Sequence, residues 1–321
     1  MMTLTISPFF SILLPQIDDP SHNINDMLML TLKDWLPNAF PLSVVRRDPQ
    51  PVFPPHKHEF SEVVIVTGGN GLHVTGPESW QLSAGDVFVI SSGRMHEYKE
   101  LHDLTLINIL FDPEKLNLQL ADLPSVPGYH ALFALEPVWR KRHQFNSRLR
   151  LSLGELATVQ GTVDELEREL SKRQPGFEFQ SMALFMQIVG DLSRAYSRTK
   201  SADSRALLRC AEAIAHLESH FAESVSLDQL ADIAHMSKRS FIRTFQAATG
   251  NPPIARLIQL RLSHAAKLLR HTGKAVTEIA YEAGFNDSNY FARQFRKVIG
   301  LSPRTYRAHS HSANTIKTRL L

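Results

Sequence analysis

Two sets of side chains, fifty residues apart, have the types and spacing to read the edges of bases. Arg239, Ile242, Arg243 and Gln246 share one face of a helix predicted from Lys238 to about Thr249. Asn289, Arg293 and Arg296 share one face of a second, from about Ser288 to Ile299. Arginine can donate two parallel hydrogen bonds to guanine, and asparagine can pair in bidentate fashion with adenine; each such pair discriminates by about 1–3 kcal/mol. Phosphate contacts or solvated ion pairs would use the same cations without reading sequence, so residue type alone leaves both roles open. The opposite faces are apolar: Phe241, Phe245 and Ala248 in one helix, Phe291, Phe295 and Val298 in the other.

The helices belong to an internal repeat. Phe241-x-Arg243-x-Phe245-x4-Gly250-x2-Pro253 recurs as Phe291-x-Arg293-x-Phe295-x4-Gly300-x2-Pro303 at an offset of 50, and Ala231-x-x-Ala234 recurs as Ala280-x-x-Ala283 at an offset of 49. The second turn is therefore one residue longer. Each copy reads as a helix-turn-helix. In the first, Ser226 and Gln229 form a capping box, His235-Met236 make the turn, Ser237 caps the second helix and Gly250 ends it. In the second, Thr277 to Ala283 is the short helix and Gly284-Phe285-Asn286 the turn. Between the copies, Pro252-Pro253 opens a helix ending near Gly273, with Ile254, Leu257, Leu262, Ala265 and Leu269 in its apolar set. About 18 residues at 1.5 Å each make a strut of ~27 Å. Such a strut suits two readers that must sit about one duplex turn, ~34 Å, apart. Residues 201–321 hold 17 Lys and Arg against 9 Asp and Glu, whereas residues 1–200 hold 18 against 23. The basic half is the one fitted to meet a polyanion.

Residues 205–308 resemble the DNA-binding domain of the AraC/XylS family of transcription regulators. The stretch from Val276 to Arg296, with Ile279-Ala280-Tyr281-Glu282-Ala283-Gly284-Phe285 and Tyr290-Phe291-Ala292-Arg293 inside it, is similar to that family's second helix-turn-helix signature. The resemblance implies that Arg239, Ile242 and Arg243, then Ser288, Asn289 and Arg293, enter successive major grooves of double-stranded DNA. It also implies an activator that recruits RNA polymerase.

Residues of about 42–120 contain short β-branched runs punctuated by Gly, Pro and Asn, a pattern for an all-β sandwich or barrel. Gly68-Gly69-Asn70-Gly71 reads as a turn. His56-x-His58-x3-Glu62, followed by Gly68, is similar to the first cupin motif, and Gly85-Asp86 to His96 to the second. In metal-binding cupins such residues hold Fe, Mn, Zn or Ni, so His56, His58, Glu62 and His96 admit one alternative: a metal-dependent dioxygenase or sugar isomerase tethered to DNA. Ser91 stands where the second motif usually has Pro, and Glu100 where it has Asn. A cupin joined to an AraC-type reader implies instead a sensor with no metal, no cofactor and no catalytic residue. Phe53-x-x-His56-x-His58-x-Phe60-x-Glu62, then Gly69-Asn70-Gly71-Leu72-His73, then Asn108-Ile109-Leu110, resemble the sensors of the rhamnose-operon activators within the family. By that resemblance Tyr98 and Asn108 fall where sugar-contacting residues lie, and His58, Glu62 and His96 line the same cavity. The implied effector is a small sugar similar to L-rhamnose.

The chain thus divides into an N-terminal extension (1–32), a cupin-like effector domain (33–125), a helical region (126–197), a linker (198–204), the reader (205–308) and a disordered tail (309–321). In the helical region Leu149, Leu153, Leu156, Val163 and Leu170 follow 4-3 spacing, and a second helix runs from about Phe179 to Tyr196. These helices either pack on their own domain or form a homodimer seam. At 43% hydrophobic and 21% charged the chain has apolar surface for genuine cores. One cysteine, Cys210, excludes an intramolecular disulfide framework and a Cys-rich zinc module. No apolar run approaches the ~20 residues of a membrane span. Leu4 to Leu14 is apolar but carries Pro8 and has no leading cation, so it reads as neither signal peptide nor anchor. A cytoplasmic protein fits these features. Met27 and Met29 precede a stretch that reads like a domain start, and N-terminal sequencing of the native protein would locate the first residue.

Overall fold

A computed structural model describes residues 28–36, 40–116, 122–140 and 144–309. The disordered tail expected over 309–321 lies outside these residues apart from His309, which ends a helix over 303–309. Most of the expected extension lies outside them too. Its described end belongs to the sensor: β1 (Leu28–Leu30) pairs in parallel with β3 (His56–His58), followed by the short helix α1 (Leu32–Trp35).

A six-stranded sheet is built from β2 (Leu42–Arg47), β4 (Ser61–Thr75), β5 (Glu78–Ser83), β6 (Asp86–Ile90), β7 (Glu97–Phe111) and β8 (Leu149–Arg150). Its order is β2-β7-β4-β6-β8, with β5 pairing β4. The run Gly68–Gly71 is no turn. It lies inside β4, whose register against β7 shifts three times between Val66 and Leu72. Gly69 has φ 65°, and a Cβ there would sit 2.0 Å from the Asp103 carbonyl oxygen. A bulge that needs a left-handed residue and close backbone approach explains the glycines as well as a turn does.

After the sheet come α2 (Pro127–His130), a π-helical turn (Ala131–Leu135) and α3 (Glu136–Trp139), then α4 (Leu153–Lys172) and α5 (Phe177–Ser197). The 4-3 spacing misplaced two residues. Leu149 is in β8, and Leu153 is 86% exposed. Ser152 stops the helix from starting earlier: its hydroxyl accepts from the Glu155 N–H, and its own N–H donates to the Glu155 carboxylate. Leu156, Val159, Val163 and Leu166 are buried within the protomer, so this stripe is core and not a seam between copies.

The reader comprises α6 (Ala202–Ser219), α7 (Leu227–Ile233), α8 (Lys238–Thr249), α9 (Pro253–His271), α10 (Val276–Glu282) and α11 (Ser288–Ile299). Only residues 198–201 connect α5 to α6, because Ser201 caps a helix that already begins at Ala202. Both interhelical turns use a positive φ, at His235 (51°) and Gly284 (89°). At Gly284 a side chain would also meet the Ala222 carbonyl oxygen at 2.7 Å. The expected capping box at Ser226 is half made. Its hydroxyl accepts from the Gln229 N–H, but the Gln229 carboxamide turns to the His216 ring at 3.1 Å. Val298, expected inside, is 53% exposed, since the core of α11 is filled by Phe291 and Phe295 alone.

One continuous apolar core joins the outer face of the sheet (Val63, Ile107), α5 (Phe185), α6 (Leu207, Ile214) and the first reader (Phe241, Phe245). The second reader has a separate core of Leu262, Leu269, Ile279, Phe291 and Phe295.

Candidate functional site

Strand alternation sends every second side chain into the concave side of the sheet. Val45 and Arg47 of β2, Glu62 of β4, and Tyr98, Asn108 and Leu110 of β7 therefore face one cavity, closed by His56, His58 and His96. The free interior of the cavity is about 40 Å³, so its lining side chains lie close together around a small polar space. All five sequence-predicted effector residues, His58, Glu62, His96, Tyr98 and Asn108, line it.

The backbone orients the imidazoles. Each Nδ1 lies against a carbonyl oxygen: His56 on Pro54 at 3.0 Å, His58 on Phe60 at 2.5 Å, and His96 on Arg94 at 3.3 Å. A carbonyl only accepts, so Nδ1 carries the proton and donates. The Nε2 atoms of His58 and His96 then face the Glu62 carboxylate at 3.4 and 3.8 Å. His56 and His96 also exchange backbone hydrogen bonds, which pins β3 to the segment that precedes β7. Burial pushes His96 down to about 3, with Glu62 opposing, so the ring is neutral at pH 7. Burial lowers His56 as well. For Glu62 burial raises the pKa, but the adjacent His58 imidazole and, more weakly, those of His96 and His56 more than offset it, and the net shift is downward.

Several buried polar atoms here have no protein partner: the His58 Nε2, the Tyr98 hydroxyl and the Asn108 Oδ1. Unpaired buried polar atoms are costly, and a ligand bearing hydroxyls would satisfy them. Three residues that sequence reasoning missed belong to the same region. Arg47 and Trp35 line the cavity, with the guanidinium 5.9 Å from the indole centre. The signal for Arg47 was the alternation along 42–47, which puts it on the same face as Val45, the partner of Asn108 across the sheet. His73 is fully buried beside Tyr98 (rings 5.5 Å apart) with both ring nitrogens unpartnered, and burial holds its pKa well below the ordinary value. Nothing in its local sequence distinguishes it from a wall residue.

The second site is the surface of α8 and α11. Ser237 caps α8 and Asp287 caps α11. Phe241 and Phe245, like Phe291 and Phe295, are fully buried, which fixes the rotation of each helix. Arg239, Ile242 and Arg243 then line an open surface recess with Gln246 and Ala247. On α11 Asn289 and Arg293 are exposed one turn apart, and Ser288 opens the helix. Arg293 leans over Tyr290 at 5.9 Å. Among the described residues neither Arg239, Arg243 nor Arg293 has an ion-pair partner. Free cations on a fixed helical face are what a phosphate or base edge requires. No described helix is long and apolar enough to cross a membrane.

Comparison with known proteins extends these observations. Residues 44–189 match the family model described as an AraC-like ligand binding domain, and residues 230–309 match one described as a helix-turn-helix domain. The chain is 33% identical over 290 residues to the HTH-type transcriptional activator RhaR of Klebsiella pneumoniae subsp. pneumoniae, covering 89% of this chain and 99% of that one. It is 34% identical over 269 residues to the RhaR activator of Escherichia coli, covering 83% and 91%. Among solved structures, the DNA-binding domain of AdpA in complex with a target DNA matches 33% of this chain and 95% of its own at 34% identity, with a TM-score of 0.32.

Proposed function

Because the chain belongs to the AraC family of helix-turn-helix transcription regulators, we propose that a small sugar similar to L-rhamnose, held in the N-terminal cavity, controls its binding to DNA. It is a DNA-binding transcription activator with a ligand-binding domain, and it is not an enzyme. The observation that carries the regulatory reading is the pairing of two sites: a cavity with unpartnered buried polar atoms, and two helices presenting unpaired cations.

In this reading the sensor is a cupin-like barrel over 33–125, extended by β1. The helical region 126–197 joins it to the reader at 205–308 through a connection within 198–204. Arg239, Ile242 and Arg243 occupy one major groove, and Ser288, Asn289 and Arg293 the next. His58, Glu62, His96, Tyr98 and Asn108 hold the sugar. The active species is a homodimer. Its seam is the outward face of α4 and α5, where Leu153 and Phe179 are 86% and 76% exposed. It works in the cytoplasm, where it recruits RNA polymerase to a promoter. Coupling of about 1–3 kcal/mol between sugar and DNA would suffice to switch it.

A thermal-shift screen of common sugars on the full chain tests the reading. L-rhamnose or a close relative raises the melting temperature, since a ligand of the folded state stabilises it. Tyr98→Phe raises the sugar concentration needed for that shift. If no sugar moves the transition, the effector class is wrong.

A further inference from the structure

The strut α9 does not join the two readers alone. The connection between α6 and α7, residues 220–226, is gripped from two sides. From α9, Arg261 donates from Nε to the Phe221 carbonyl oxygen at 2.7 Å and from Nη2 to that of Glu223 at 2.8 Å. His264, three residues on, packs its ring against Phe221, with centres 5.4 Å apart. From the second unit, the Gly284 turn meets the connection backbone to backbone: a Cβ on Gly284 would lie 2.7 Å from the Ala222 carbonyl oxygen. The Arg261 guanidinium also sits over the ring of Phe285, 5.8 Å from its centre. One side chain therefore touches both the connection that leads into α7 and the turn that leads into α11. Phe285 carries the constraint onward, since its ring packs on Phe291 at 5.1 Å and Tyr290 at 6.2 Å in the first turn of α11.

We propose that Arg261 is a positioning residue for DNA reading: by clamping the α6–α7 connection to the turn of the second unit, it sets the separation of the two base sequences that one chain reads. Apolar packing is non-directional, and helices packed by it cross at angles that scatter by about 15–20°. One base pair more between the two sequences moves the second by about 3.4 Å and turns it by about 34°. Loose packing along α9 would leave much of that range open. A planar guanidinium held by two carbonyls and a ring face closes it, and an ammonium cannot reproduce the fork. Arg261 contacts no base in this role; it acts through Phe285 and the connection. The role presupposes that α8 and α11 enter successive grooves, as proposed above.

The test takes duplexes selected from a random pool by the full-length chain and adds or removes one base pair between the two halves of the site. Affinities are measured by fluorescence anisotropy at fixed salt for wild type, Arg261→Met and Arg261→Lys, with folding checked by circular dichroism. Wild type favours the selected separation. Arg261→Met keeps the apolar stem and loses both donors. It lowers that preference by about tenfold, the scale of one hydrogen bond from a charged group, and leaves base preference within each half unchanged. Arg261→Lys, a cation without the fork, falls between the two. A folded Arg261→Met that keeps the wild-type preference for separation overturns the role, as does one that binds every separation more weakly by the same factor. If Arg261→Met does not fold, Arg261→Lys is judged by those same two results. A wild type indifferent to separation also overturns the role, in that case by removing the reading of two grooves on which it depends.

Discussion

The two helix-turn-helix units are near repeats in sequence and differ in what they rest on. The first packs Phe241 and Phe245 into a core that continues through α6 and α5 to the sheet. The second packs Phe291 and Phe295 into a core of its own, shared with α9 and with Tyr306 of the helix over 303–309. Polar contacts reinforce the asymmetry. Arg256, at the start of α9, donates twice to Glu218 of α6 at 3.0 and 2.7 Å. His130, at the end of α2, lies 3.9 Å from that same carboxylate. A change in the sensor therefore has a direct physical route to the first unit. It reaches the second along α9 and through the α6–α7 connection, whose Ala222 backbone lies close against Gly284 and whose Phe221 and Glu223 carbonyl oxygens accept from Arg261.

Cutting each core should separate the units most sharply. Phe245→Ala and Phe295→Ala each remove a fully buried ring, at a cost of about 3–5 kcal/mol. In calorimetry Phe245→Ala lowers the transition of the sensor together with the first unit. Phe295→Ala lowers only a second, smaller transition. If both variants shift one common transition equally, the separation of cores is wrong.

A smaller effect is expected at the polar bridge. Arg256→Ala leaves Glu218 buried without its charged partner and destabilises the shared core by about 1.5–3 kcal/mol. It also reduces the effect of sugar on DNA affinity. Unchanged coupling in a folded variant would remove this bridge from the route.

At the DNA face, Arg243→Ala and Arg293→Ala each weaken binding to the preferred site by about 1–3 kcal/mol. Each relaxes base preference in its own half of the site, as read by competition with substituted duplexes. Uniform weakening on every sequence would mean phosphate contact only.

The mildest probe is Cys210, buried in α6 within the shared core. Burial pushes its thiol up to about 12. It should not react with a disulfide reagent at pH 8 in the native protein or in Phe295→Ala. Phe245→Ala should expose it. Labelling of native protein as fast as of free thiol would refute the burial.

The reader was legible because a repeat checks itself. The two Phe-x-Arg-x-Phe runs and their glycines fixed helix, face and turn without any long-range contact. Val298 escaped because α11 ends on the surface, where periodicity continues after the core has stopped. The cavity was legible as residue types around His56, His58 and Glu62, but Arg47 and His73 entered through strand pairing, which short sequence windows do not contain. Leu149 and Leu153 kept the period of α4 yet lie before and at its start, since the Ser152 cap, not the apolar spacing, decides where that helix begins. The glycines of β4 were read as a turn because a bulge and a turn ask for the same left-handed residue.

The most direct test of sugar-controlled reading by paired helices is selection of duplexes from a random pool by the full-length protein, at fixed salt, with and without L-rhamnose. The account predicts enrichment of two half-sites about one helical turn apart, stronger with the sugar and reduced to one half-site by Arg293→Ala. A pool that remains random, or that is enriched identically whichever sugar is present, would contradict it.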